Sequence, residues 1–428
     1  MTSSHPIHCD ITVIGCGMAG MAAALFAAHR GLSTAVVGGT AEIIFASGFI
    51  DLLGVHPIAE RRIWVDPWAG IASLAAAHPD HPYARLTPED IRAGLDEFFD
   101  LSKKMGLCYR RRPIQNVMAV SPMGTVKPTY AVPESMWEVV TALENQVPCL
   151  IVGLDGLKGF SARLIAETLR SAWPTLRPVQ LSYPDAAHSG ELYTERVAHA
   201  LEFAGEREKF ANHVRLHLKN AQAVGVPAIC GVYHARETYA DLVQRIGVPL
   251  FEIPTMPPSV PGLRIKAVFE HALAGMGVRT FFGQSVLQAR TASNHGFILA
   301  IGNGAGPHTV HSDAVILASG RFLGRGLHAE RKRIRETIFD LPVYQPGERS
   351  EWHRSEFLDP RGHRINQAGL EIDAHFRPLN PAGRPAAPNL FAAGSILAHQ
   401  DWIRQKCGSG LAVATAYAAV RSYLRLRS

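Results

Sequence analysis

With 428 residues, 47% of them hydrophobic and 19% charged, the chain is too apolar to stay disordered and longer than one core usually supports, so two lobes are expected. Its formal charge of +6, from 43 Lys and Arg against 37 Asp and Glu, is mild and mostly dispersed, which leaves no nucleic-acid footprint. Six cysteines without a CxxC pair argue against a zinc ribbon, an iron–sulfur cluster carried by this chain alone and a disulfide framework, so no metal site is expected and a reducing cytosol fits.

The first element is the most informative. Ile11-Thr12-Val13-Ile14 reads as a buried strand, Gly15-Cys16-Gly17-Met18-Ala19-Gly20 as a GxGxxG turn, and Met21 to Ala28 as a helix. In such a unit Gly15 permits the tight turn, Gly17 lets the backbone approach a pyrophosphate, and Gly20 lets the helix pack closely on the strand. The helix N-terminus then offers free N–H groups and the positive end of its dipole to phosphates. Met1–Asp10 is polar and the apolar stretch behind it belongs to this unit, so no secretory signal is expected. The longest apolar run, about Met18 to Ala28, falls short of the roughly 20 residues of a bilayer crossing, and any membrane contact is expected to be peripheral.

Ser33–Val37 reads as the second parallel strand, but Gly38-Gly39-Thr40 stands where an acid would hold a ribose hydroxyl; that lowers the case for NAD. Residues 60–145 are mixed, with a helix at Pro88–Met105 capped by Thr87. An α/β alternation follows: strand Pro148–Gly153, turn Leu154–Gly159, helix Phe160–Ser171, strand Val179–Leu181, strand Val226–Val232, helix Thr238–Ile246 and strand Leu250–Ile253. Ordinary packing explains this second βα unit as well as a second nucleotide site does. Next come a helix Leu263–Gly275, a strand Val278–Phe282, and a meander of Val286–Ala292, Phe297–Ile301 and His308–His311 broken by the turn Asn303–Pro307. Ala314–Leu317 is an apolar strand ending in Ala318-Ser319-Gly320. Asn389–Ala393 runs into Gly394-Ser395, and Cys407-Gly408-Ser409-Gly410 opens a last helix, Leu411–Leu424.

The opening turn, the meander, the Ala318-Ser319-Gly320 turn and the Gly408 helix start together resemble two-dinucleotide-fold flavoproteins of the fumarate reductase and succinate dehydrogenase type. Ser319 stands where the family has Thr, and Ser395 where it has an acid. The resemblance implies an α/β fold with a Rossmann-like parallel sheet, a small antiparallel meander and an inserted α/β lobe. The flavin-binding domain is expected over 1–60, 250–330 and 385–428, and the inserted lobe over 61–249 and 331–384. Phe45–Leu53, Pro254–Arg264, Leu317–Phe322, Glu351-Trp352 and Asn389–Tyr417 further resemble the B-subunit family of bacterial anaerobic glycerol-3-phosphate dehydrogenases. That family implies a three-subunit complex passing electrons from sn-glycerol 3-phosphate to quinone. Its A subunit carries the substrate-oxidising FAD, and its C subunit supplies iron–sulfur clusters and attachment to the inner face of the cell membrane. The turn favours FAD as the cofactor here, with FMN as the alternative because the ribose acid is missing.

The expected cofactor contacts are Gly15, Gly17, Met18, Ala19, Gly20, Ser47, Gly48, Ser319, Gly320, Gly394, Ser395, Gly408, Ser409 and Gly410. If the chain itself oxidised an alcohol phosphate, it would need a base, from His56, His353 or His399, and cations, from Arg264, Arg321 or Arg404. His399 and Arg404 stand out because they lie between the Gly394 turn and the Gly408 helix start; Arg264 could equally pair with a carboxylate. Cys16 reads as a small buried side chain rather than a redox thiol. The basic runs Arg110–Arg112 and His328–Arg335 read as solvated surface, or as contacts for phosphates or an acidic partner.

Overall fold

The computed structural model describes residues 6–39, 43–182, 191–293, 295–304 and 306–427. Its principal elements begin with β1 (Ile7–Ile14), α1 (Met18–His29), β2 (Thr34–Gly38), α2 (Pro88–Lys104), β3 (Cys149–Leu154), β4 (Leu176–Leu181), β5 (Ala223–Pro227), β6 (Leu250–Ile253) and α3 (Val260–Gly275). There follow β7 (Arg279–Phe282), β8 (Ser285–Thr291), β9 (Phe297–Gly302), β10 (His308–Leu317), β11 (Leu390–Ala392) and α4 (Gly408–Arg427). The chain divides into two compact units. The first comprises Met1–Glu42, Ile50–Leu101 and Phe269–Ser428, and the second Ile43–Phe49 and Ser102–Val268.

The first unit is built on a seven-stranded sheet in the order β7-β2-β1-β10-β9-β8, with β11 paired to β10. β1 lies parallel to both neighbours, so that Val13 faces Val36 on one side and Ile316 on the other. Its last four residues are all buried, the continuous run that a parallel strand covered on both faces requires. The crossover helix α1 is buried from Ala19 to Ala27, as expected of a helix apolar all round. Its Phe26 meets Tyr417 of α4 edge to face, and Arg30 forks onto Glu97 of α2 at 2.6 and 2.8 Å. β8 and β9 form the antiparallel excursion, which returns into β10. His308–His311 and Ala314–Leu317, expected as two strands, form one. The intervening Ser312 stays in register opposite Cys9 and donates its hydroxyl to the Ala314 carbonyl at 2.6 Å, so its polarity does not break the ladder.

The second unit holds an all-parallel sheet in the order β6-β5-β3-β4. The helix expected at Phe160–Ser171 spans Ala162–Leu169 and starts at Ser161, whose Oγ accepts from the Leu164 N–H at 3.2 Å. β5 ends at Pro227, short of the expected Val232, because Gly231 turns back to the Ile229 carbonyl and Glu202 takes the N–H groups of Val232, Tyr233 and His234.

The observed division departs from the expected domain limits at four places, the first being residues 43–49, which lie in the second unit. Residues 61–101 lie in the first unit, where α2 is fastened by the Arg30–Glu97 fork and by Asp90 to Arg421 of α4. Residues 331–384 lie there too, because Ala392 donates to the Phe376 carbonyl and Leu370 to that of Ile396. Conversely, residues 250–268 belong to the second unit, where Glu252 of β6 pairs with Arg264 of α3.

Candidate functional site

The turn after β1 is shaped by what surrounds it. Gly15 has φ +118° and donates to the Val37 carbonyl at 2.7 Å, and a Cβ there would lie 2.1 Å from the Ala318 oxygen. A Cβ on Gly20 would lie 1.8 Å from the Gly15 oxygen, so strand, turn and helix pack at a distance only glycine permits. Gly17 is the N-cap of α1. That helix has no side-chain cap and no acid in its first turn, around Met18 and Ala19, which leaves its positive end open to an anion.

Two further turns close on this one. Ala318 donates to the Ile14 carbonyl at 2.8 Å, which sets Ser319 and Gly320 beside Gly15. The Ser319 hydroxyl is buried and has no hydrogen-bond partner among the described residues. Gly394, at φ +78°, follows β11, donates to Thr415 Oγ1 at 2.9 Å, and would place a Cβ 2.5 Å from that of Ala19 in the first turn of α1. Ser395 sits in the short 3-10 turn Gly394–Ile396. At the start of α4, Ser409 Oγ accepts from the Asp51 N–H at 2.7 Å and Gly410 donates to the Asp51 carbonyl at 2.9 Å, while Gly408 abuts the Trp402 ring.

Gly15 to Gly20, Ser319-Gly320 and Gly394-Ser395 thus converge, and Thr415 ties the Gly394 turn to α4. An uncapped helix N-terminus, backbones too close for any Cβ and an orphaned buried hydroxyl fit the pyrophosphate of a dinucleotide. β2 ends in Gly38, with Gly39 beyond it, and Thr40 lies outside the described residues; the ribose carboxylate of NAD-type sites has no counterpart at Gly38 or Gly39. Burial pushes the Cys16 thiol up to about 12, consistent with a packing residue.

Ser47 and Gly48 lie in the second unit. Ser47 Oγ accepts from the Phe49 N–H at 3.3 Å, and a Cβ on Gly48 would meet Pro133 and Pro261 at 2.9 and 3.0 Å. Arg264, in the same unit, forks onto Glu252 at 2.6 and 2.8 Å and donates its Nε to the Gly231 carbonyl at 2.8 Å.

The remaining candidates lie in the first unit and are also engaged. His399 Nε2 is 3.0 Å from Glu371 Oε1, and its ring lies against Tyr344. Arg404 reaches Asp401 at 3.3 Å, and His353 meets the His363 ring edge-on. Burial and the neighbouring His78 lower the pKa of His56. Arg321 donates to the carbonyls of Ser395, Asn366, Leu397 and Gln400. Burial pushes its guanidinium down to about 10, so it stays charged at neutral pH.

Three residues at this end of the unit carried no motif. Gln400 is buried and donates to the carbonyls of Gly394 and Leu397, both at 3.0 Å. His81 accepts from the Tyr83 N–H on Nδ1 at 3.1 Å, which leaves the proton on Nε2 to donate to Gln405 Oε1 at 3.4 Å. The Gln405 carbonyl in turn accepts from Gly54 and Val55. For Gln400 and Gln405 the only sequence signal is position, just before the Gly408 helix start; His81 carries none.

A family model described as FAD binding domain matches residues 10–411. The B subunit of anaerobic glycerol-3-phosphate dehydrogenase from Vibrio vulnificus is 30% identical over 430 residues, covering 98% of this chain and 97% of that protein. A probable B subunit of anaerobic glycerol-3-phosphate dehydrogenase from Halobacterium salinarum is 30% identical over 426 residues, covering 96% and 97%. Among solved structures, 3-ketosteroid delta1-dehydrogenase from Sterolibacterium denitrificans is 13% identical with a TM-score of 0.44, covering 98% of this chain and 100% of that one. Among the described residues, no helix is long and apolar enough to cross a membrane.

Proposed function

The chain belongs to the FAD-binding-domain family and to the family of anaerobic glycerol-3-phosphate dehydrogenase B subunits, and from that premise we propose that it is the flavin-binding, electron-relaying member of a quinone-linked complex. In this reading the catalytic A subunit, with an FAD of its own, oxidises sn-glycerol 3-phosphate to dihydroxyacetone phosphate. The iron–sulfur C subunit hands electrons towards the quinone pool and holds the complex at the inner face of the cell membrane. The observation that carries the proposal is a similarity running over 98% of this chain and 97% of its Vibrio relative.

FAD supplies a group that accepts two electrons as hydride and returns them singly, the property a relay needs. The chain's own part is to bind and orient. The N–H groups after Gly17 at the start of α1 and the Ser319 hydroxyl hold the pyrophosphate, and the start of α4, pinned through Ser409 and Gly410 to Asp51, shapes the wall beside it. The relay role is supported by the state of the groups that could take a substrate phosphate: Arg264 and Arg404 are paired with carboxylates, and Arg321 is spent on four carbonyls.

The test is to purify the chain, release its flavin by denaturation and weigh it. FAD at close to one per chain is expected. A colourless protein that takes up no FAD would overturn the reading, and release of FMN alone would overturn the dinucleotide assignment.

A further inference from the structure

Arg321 follows Gly320 directly and points its fork into the loop that begins with the Gly394-Ser395 turn. Nε donates to the Ser395 carbonyl at 2.7 Å, one terminal nitrogen to Leu397 at 3.2 Å and Gln400 at 2.8 Å, and the other to Asn366. Gln400 completes the arrangement from the loop's far end, its amide donating to the carbonyls of Gly394 and Leu397. The carbonyls of Gly394, Ser395, Leu397 and Gln400 are therefore all drawn towards donors inside the loop. Gln400 Oε1 and Ser319 Oγ, both buried, are left without partners among the described residues beside these turns. Orphaned buried oxygens of this kind mark places where a ligand completes the hydrogen bonding.

The charge balance is equally specific. Among the described residues, Arg321 has no carboxylate within hydrogen-bonding distance; carbonyl dipoles solvate it. The acid whose field it feels is Asp401, whose carboxylate is already shared with Arg404 and with the Asn366 amide. A net positive charge therefore stays in a poorly hydrated wall of the cradle, where it favours any bound group that gains negative charge.

We propose that Arg321 is a positioning residue which holds the Gly394–Gln400 loop in its FAD-binding conformation and, through its uncompensated charge, biases the bound flavin towards its reduced form. The proposal rests on the FAD reading above. It is tested on the full chain with Arg321→Gln and Arg321→Lys, measuring the FAD dissociation constant by flavin fluorescence and the two-electron midpoint potential against redox dyes.

Arg321→Gln is expected to weaken FAD binding at least tenfold, and to weaken the reduced form tenfold more, which lowers the potential by about 30 mV. Arg321→Lys keeps the charge without the fork, so it should restore the potential while leaving affinity weak. Parent-like affinity and potential in Arg321→Gln would overturn the inference while the FAD reading stood; a parent chain that binds no FAD would overturn both. Should Arg321→Gln fail to fold, Arg321→Lys decides alone: parent-like FAD affinity in it overturns the clamp.

Discussion

His81 shows how one buried side chain couples the candidate site to pH. Burial pushes its imidazole down to about 3, and the Tyr83 N–H occupies its Nδ1, so the ring is held neutral with its remaining proton on Nε2, donated to Gln405 Oε1. Because the folded-state value lies below the ordinary 6.5, the fold prefers the neutral ring. Stability is then complete above about pH 6.5 and falls as pH drops towards 3. The loss attributable to His81 between pH 6.5 and 5 is about 2 kcal/mol. Urea unfolding of the parent and His81→Gln at both pH values checks this; equal acid sensitivity in the two would refute it. Glu252 is also held low, but because the fold favours its charged form rather than a neutral one. Burial alone would raise its carboxyl, but the Arg264 charge and hydrogen bonds from Arg264, Ser135 and Cys230 outweigh that and hold it below the ordinary range. Motif reading finds neither residue, because what gives each its role is a partner distant in sequence.

At the scale of the element, the starts of α1 and α4 do different work with similar glycine-rich sequences. α1 begins without a side-chain cap and leaves its N–H groups open to an anion. The start of α4 is instead pinned to the segment after Ile50, through Ser409 to the Asp51 N–H and Gly410 to the Asp51 carbonyl. Replacing Ser409 by Ala removes the acceptor for a partly buried N–H and should cost about 1 kcal/mol, with FAD binding weakened several-fold as the helix start loosens. Thermal unfolding with a parallel FAD titration measures both; unchanged affinity would show that this anchor does not serve the cofactor. The apolar β1 and α1 and the Thr87 cap of α2 were legible in the sequence because neighbouring residues make them, Thr87 Oγ1 accepting from the Asp90 N–H at 3.1 Å. The joining of two short strands into β10 was not, because register with β1, rather than local polarity, decides where a strand continues.

At the scale of the whole molecule, the proposed relay makes a prediction that separates this chain from a self-sufficient dehydrogenase. The isolated, FAD-loaded chain should not oxidise glycerol 3-phosphate with a soluble dye, whereas the assembled complex should; steady turnover by the isolated chain would sink the relay assignment. The sequence alone determined the strand–turn–helix opening, the α/β class and the family, because these rest on local apolar periodicity and on glycines that no other residue can replace. Tertiary structure decided which segments share a unit and which charges are free. Residues 61–101 and 331–384 joined the first unit through contacts with α1, α4 and β11, and Arg264, Arg321, His399 and Arg404 each found a partner within their own unit. A guanidinium or imidazole looks the same in a sequence whether it awaits a substrate or is already bound. Only the fold, by bringing a carboxylate or a carbonyl within about 3 Å, tells the two apart.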